Sequence, residues 1–144
     1  MRKFVAAAAM TLVANLALAQ ASPVGLWKTI DDDGKTEKSL VRITDGATGL
    51  TGVIEKVFDP TKQDAKCEKC TDDRKDKPVV GMTIIHGLKQ DASDKSLWEG
   101  GEILDPNNGK SYKTRLKPIE GGKKLEMRGY IGFFYRTQTW VRVE

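Results

Sequence analysis

Apolar and polar residues alternate with a period of two along much of this chain, most cleanly over residues 111–117. There Tyr112, Thr114 and Leu116 share one face, while Ser111, Lys113, Arg115 and Lys117 share the other. The pattern repeats with Leu125, Met127, Gly129 and Ile131 set against Lys124, Glu126, Arg128 and Tyr130. Successive strand residues point to opposite faces, so each run predicts a half-buried β-strand. Glu120-Gly121-Gly122 between the runs reads as a hairpin turn, and Asp105-Pro106-Asn107-Asn108-Gly109 as the turn before them.

Extending this rhythm predicts eight strands, at 24–30, 38–44, 50–58, 79–87, 96–104, 110–117, 123–131 and 134–143. Alternation is weakest at 50–58 and 79–87. The connections are short, which makes neighbours antiparallel. No amphipathic stretch of helical length follows residue 21. The expected fold class is all-β: a single antiparallel up-and-down β-barrel of about eight strands, with an open sandwich as its rival. Such a barrel has an interior that either packs solid or holds one small ligand.

One connection is long. Residues 59–78 form a polar loop that opens with Asp59-Pro60, an N-cap and first-turn pair predicting a short helix. Polar loops of this length in a compact domain usually carry function or move.

The first residues change the picture of where the chain works. Arg2 and Lys3 precede an apolar stretch from Phe4 to Leu18, and Ala19-Gln20-Ala21 supplies a small-x-small site. This predicts a signal peptide at 1–21 and one exported domain at 22–144, periplasmic or secreted. No second apolar run follows, so no membrane span is expected in the mature chain. The 24 basic and 20 acidic residues become 24 − 2 = 22 and 20 once the signal's two basic residues are set aside. Near-neutral and interspersed charge gives no basic face for nucleic acid.

Chemistry-bearing residues are few. Cys67 and Cys70, the two cysteines, form a C-x-x-C inside the long loop. An exported protein is expected to close them as a structural disulfide. A redox pair would sit at a helix N-terminus, whereas a helix begun at Pro60 ends near the cysteines. Zinc wants four ligands, which His86 with Asp72 or Asp73 would have to complete. No nucleophile motif is present, His86 has no partner for base chemistry, and Asp31-Asp32-Asp33-Gly34 lacks calcium-loop spacing. Glu99 and Glu102, three apart on an ideal strand, face opposite sides. No cofactor motif appears, and the chain is not expected to be an enzyme. Trp27 near the start and Trp140 and Arg142 near the end are expected to lock the barrel where its first and last strands meet. Phe133, Phe134 and Tyr135 read as core or rim aromatics.

Taken in order, Gly25-Leu26-Trp27, Cys67-x-x-Cys70 before Pro78-Val79-Val80-Gly81-Met82, Trp98-x-Gly100-Gly101-x-Ile103, Asp105-Pro106…Gly109-Lys110-x-Tyr112 and Arg136-Thr137-Gln138-Thr139-Trp140-x-Arg142 resemble domain-of-unknown-function family 2147, small exported bacterial proteins. The resemblance covers the whole chain after residue 21 and implies a lipocalin-like barrel. Gly25-Leu26-Trp27 with the late Arg142 also resembles the lipocalin closure pattern. It implies no catalytic residue.

The functional expectation is an interior that binds a small apolar or amphipathic ligand, lined by Tyr112, Thr114, Leu116, Leu125, Met127 and Ile131. The alternatives are a cell-envelope structural or interaction module that meets a partner protein through the 59–78 loop, and a metal or redox role at Cys67, Cys70 and His86.

Overall fold

The computed structural model describes residues 21–144. The signal-peptide reading falls almost wholly on residues 1–20, outside the described residues. The elements are β1 (Gly25–Ile30), β2 (Glu37–Gly46), β3 (Gly49–Val57), β4 (Thr83–Gln90), β5 (Trp98–Asp105), β6 (Lys110–Ile119), β7 (Lys124–Ile131) and β8 (Phe134–Arg142). Each pairs antiparallel with the next, and β8 returns to β1, giving a closed up-and-down barrel. The predicted architecture forms because inward positions align across neighbours. Trp98, Leu116, Met127 and Gln138 stand opposite one another on four consecutive strands, as do Leu125 and Trp140 on two.

Two local expectations change. The fourth strand starts at Thr83, not at 79. Val79 to Met82 make a turn, with the Met82 amide donating to the Val79 carbonyl (3.1 Å). That turn docks on β3 through Gly81 N–H to Ile54 O (2.7 Å) and Ile54 N–H to Met82 O (3.0 Å), and it buries Val79 and Met82. In β5 the register against β6 shifts between Trp98 and Gly101. One extra residue reverses the parity of everything beyond it. Glu99 and Glu102 therefore both face outward, opposite Lys89 and His86. A hydrogen bond from Glu99 to Asp91 raises the Glu99 pKa and lowers that of Asp91.

The interior is divided along the barrel axis. The half near Gly25 and Arg142 is filled by Trp27, Val41, Ile43, Leu88, Leu116 and Leu125, all 1 % exposed or less. This end is stoppered. The Trp27 indole donates to Pro23 O (2.7 Å), and the Arg142 guanidinium lies 4.2 Å from the Trp27 ring centre. Arg142 also donates to Gly122 O (2.5 Å), Val24 O (2.9 Å) and Ser22 O (2.6 Å), tying the β6–β7 turn to the entering chain. Burial lowers its pKa. Gly25 must be glycine here: its φ is +143°, and a Cβ would sit 2.4 Å from Glu144 O.

The seam between β1 and β8 is short. It consists of Trp27 opposite Arg142 and Lys28 opposite Val141, extended by Leu26 bonding to Val143 and Glu144. Towards the other end the two strands share no register pairs. The aromatics of the β7–β8 hairpin stand there at the rim, with Phe133 103 % and Phe134 76 % exposed.

Candidate functional site

The end opposite the stopper carries the β1–β2, β3–β4, β5–β6 and β7–β8 connections. A cavity of about 500 Å³ opens there, within the range of small-molecule sites. Ile54, Val57, Ile103, Met127 and Trp140 give it an apolar floor, and Asp32, Lys38, Lys62 and Arg136 stand at its rim.

Tyr112, Met127 and Ile131 border this cavity. Thr114, Leu116 and Leu125 share their inward face but lie in the packed half. The Thr114 hydroxyl donates to Arg128 O (2.8 Å), and Leu116 and Leu125 are fully buried. Trp27 and Arg142 form the stopper, whereas Trp140, expected beside them, lines the cavity instead. Trp140 stands opposite Leu125, above the closure. Several lining residues had escaped the sequence reading. Ile54 and Val57 lie on the strand that alternates poorly, Asp32 stands in the acidic stretch before Gly34, and Arg136 and Gln138 enter the sequence reading only as positions of the family motif.

Polar groups on the wall form a chain whose direction is settled by donor chemistry. Indole N–H can only donate, so Trp140 Nε1 bonds Gln138 Oε1 (2.9 Å). That turns Gln138 Nε2 towards Asp32 Oδ1 (2.8 Å), and Asp32 Oδ2 in turn ion-pairs with Arg136. This chain crosses the unpaired part of the seam. On the opposite wall Asn108 Oδ1 accepts from Lys110 N–H (2.9 Å), so its Nδ2 donates to Tyr112 Oη (2.9 Å). Thr29 and Ser39 bond each other through their hydroxyls (2.7 Å).

The 59–78 segment forms one side of the mouth. Asp59 caps a single 3-10 turn at Pro60–Lys62, bonding Thr61 N–H. Phe58, Asp59, Lys62, Ala65 and Val79 line the cavity. Beyond them Cys67 and Cys70 are joined in a disulfide with Cα atoms 5.4 Å apart. Backbone bonds close the base of this lobe, from Cys67 N–H to Lys77 O (2.9 Å) and Val79 N–H to Ala65 O (2.9 Å). The Asp72 carboxylate is hydrogen-bonded by Arg74, which holds its pKa down at about 2, and Arg74 reaches on to Thr83 O (3.1 Å). A depressed carboxylate keeps this clamp above its ordinary pKa and loses it only as pH falls towards 2.

The lobe rests on the β5–β6 turn. A Cβ at Gly109 would lie 2.0 Å from Lys69 O, and Gly109 has φ +71°. Gly109→Ala is therefore expected to destabilise the fold by about 1–3 kcal/mol. Urea unfolding should show that loss, and limited proteolysis should show faster cleavage within 59–78.

Among the described residues no group of three or more His, Cys, Asp or Glu is placed to hold a metal ion. The two sulfurs are bonded to each other, and His86 lies on the outer face, 3.9 Å from Glu102. No helix among the described residues is long and apolar enough to cross a membrane.

Residues 25–142 match the family described as "Uncharacterized protein conserved in bacteria (DUF2147)". Among solved structures the chain is similar to protein HP1028 from the human pathogen Helicobacter pylori, described as belonging to the lipocalin family. The TM-score is 0.72 at 19 % identity, over 87 % of this chain and 85 % of that one. No curated protein matches.

Proposed function

Starting from a chain that belongs to the DUF2147 family, we propose that it is an exported carrier holding one small apolar or amphipathic molecule in the open half of its barrel. The observation that carries this reading is the uneven filling of the interior. One half is packed as protein interiors are; the other keeps a cavity of about 500 Å³ with an apolar floor and a polar rim. Small residues hold that space open: Gly129 on β7 and the Thr29–Ser39 pair occupy inward positions where larger side chains would fill it. Apolar area removed from water supplies the affinity, at about 25 cal/mol per Å² before the entropy of capture is subtracted.

A neutral fluorescent probe, N-phenyl-1-naphthylamine, tests the reading. It should bind one to one with a saturable gain in emission, and long-chain compounds should displace it. A chain that leaves the probe's emission unchanged at high protein concentration would sink the proposal.

The envelope-module reading makes a different prediction for the 59–78 segment. A pad reserved for a protein partner can be removed without touching the cavity. Because Phe58, Asp59, Lys62, Ala65 and Val79 are part of the wall, replacing 61–77 by a short linker should instead weaken probe binding roughly tenfold, a loss of about 1.4 kcal/mol. Titration of the shortened chain with the same probe decides between them.

A further inference from the structure

Beyond the carrier reading, and independent of it, we infer that the β7–β8 hairpin is a docking tip for an anionic phospholipid surface. Its apolar side chains enter the lipid interface, and cations on the outer wall beside them meet phosphate oxygens.

Scattered exposed apolar residues are ordinary, but here they are gathered at one point. Ile131, Phe133, Phe134 and Tyr135 are all exposed, and Phe133 is wholly so. They surround the two-residue loop Gly132-Phe133, whose flanks stay paired up to Ile131 opposite Phe134. The hairpin therefore carries its aromatics outward on backbone that is laddered to its end.

The outer wall next to this tip is basic. Outward side chains stand in rows across β6, β7 and β8. The row nearest the turn is Lys113, Tyr130 and Tyr135, and the next is Arg115, Arg128 and Thr137. These two rows hold three cations, two tyrosines and no carboxylate. Glu126 follows in the third row, opposite Lys117. The Arg128 guanidinium lies 4.1 Å from the Tyr135 ring centre, and the Tyr130 and Tyr135 rings are 6.2 Å apart. Arg115 and Arg128 each stand 3.8 Å from Glu126 Oε1, beyond hydrogen-bond reach, which leaves donors for phosphate oxygens. Carboxylates border the patch on both sides. Glu102 stands opposite Lys113 and 3.9 Å from His86, while Asp32 pairs with Arg136 beyond β8. Charge thus favours an approach tilted onto the β6–β7 wall.

A lipid surface suits this tip better than a second copy of the chain. A standard protein interface takes about 800 Å² from each partner, and four side chains on a convex turn fall short of that. Enlarging a symmetric contact would set the basic rows of both copies together. Lipid needs no complementary shape, and it accepts aromatic residues at the interface with cations at the headgroups. Ile131 and Arg136 also border the cavity, so docking sets its mouth beside the lipid.

Co-sedimentation with vesicles tests the inference. Residues 22–144 hold all eight strands, and using them keeps the apolar stretch Phe4–Leu18 from carrying the chain to lipid by itself. Mixed phosphatidylglycerol–phosphatidylcholine vesicles should bind this chain at least tenfold better than phosphatidylcholine alone. The double variant Phe133→Ser, Phe134→Ser should lose at least tenfold in that binding, and Lys113→Gln about three- to fivefold. All three side chains are exposed, so melting curves should match the unmodified chain. Equal binding to both vesicle types, or a double variant that binds undiminished, would overturn the inference. Failure to bind either vesicle would also overturn it and leave the tip to a protein partner. A dimer in sedimentation equilibrium that the double variant loses would assign the tip to a second copy instead. None of these outcomes bears on probe binding in the cavity, which is measured without lipid.

Discussion

Replacing Trp27 with alanine is expected to lower the unfolding free energy by about 3–5 kcal/mol, seen as a melting midpoint roughly 10–20 °C lower. Several losses coincide. The indole is fully buried in the packed half of the barrel, so truncation leaves a cavity that close-packed neighbours cannot refill. Pro23 O loses its donor, and the Arg142 guanidinium loses the face it stacks on. Arg142 bonds Ser22, Val24 and Gly122, so the disturbance reaches the entering chain and the β6–β7 turn together. Arg142→Lys should be milder but still costly, because an ammonium cannot reproduce the planar fork that serves three carbonyls while stacked. Calorimetry on both variants checks the order. A Trp27→Ala protein that melts within a few degrees of the unmodified chain would show that the stopper is not the keystone of the fold.

Gly129→Leu should have the opposite profile, removing binding while sparing the fold. Gly129 faces the cavity opposite Thr114 and Arg136, its φ is not positive, and the nearest atom to an added Cβ is Tyr112 Cβ at 3.9 Å, an ordinary contact. A leucine there projects into open space. A glycine in a strand is itself unfavourable, so the melting temperature should hold or rise. Probe affinity should fall on the order of 100-fold, about 2.7 kcal/mol, because branched carbons occupy the guest's volume. Unchanged affinity would place the binding site elsewhere on the molecule.

The contrast between these variants marks how far the sequence could be read. Period-two alternation identifies the inward face of a strand, and it did so for Tyr112, Thr114, Leu116, Leu125 and Met127, all of which point inside. It carries no information on depth along the barrel axis. Tyr112 and Met127 meet the cavity while Leu116 and Leu125, on the same faces, meet the packed end. Trp140 shows a related limit: nearness to Arg142 in the chain suggested the closure, yet although it stands opposite the packed Leu125 it borders the cavity, its indole bonded to Gln138. Bulges were the second obstacle. On β3 the inward Leu50, Gly52 and Ile54 alternate with an apolar outward Val53, and the extra residue between Ile54 and Lys56, set against Val41 and Leu40, puts Val57 out of step with them. The shift in β5 reverses the side on which Glu102 stands. The lobe around Cys67 and Cys70 was recognisable as a cross-linked loop. Its seat on Gly109 depends on contacts between distant segments, which no local pattern encodes.

The short seam between β1 and β8 sets how the cavity can change size. In a barrel laddered all the way round, widening the mouth breaks backbone hydrogen bonds. Here the wall is a rolled strip pinned along its lower hem, at Leu26–Lys28 against Val141–Glu144. Above the hem, its two borders are buttoned by Asp32 to Gln138 and Arg136. Unbuttoning them exchanges those contacts for water and leaves every rung of the ladder intact. The strip can loosen its upper turn at the cost of one carboxylate's partners, so the girth of the cavity is governed by a side-chain clasp rather than by the diameter of a rigid vessel.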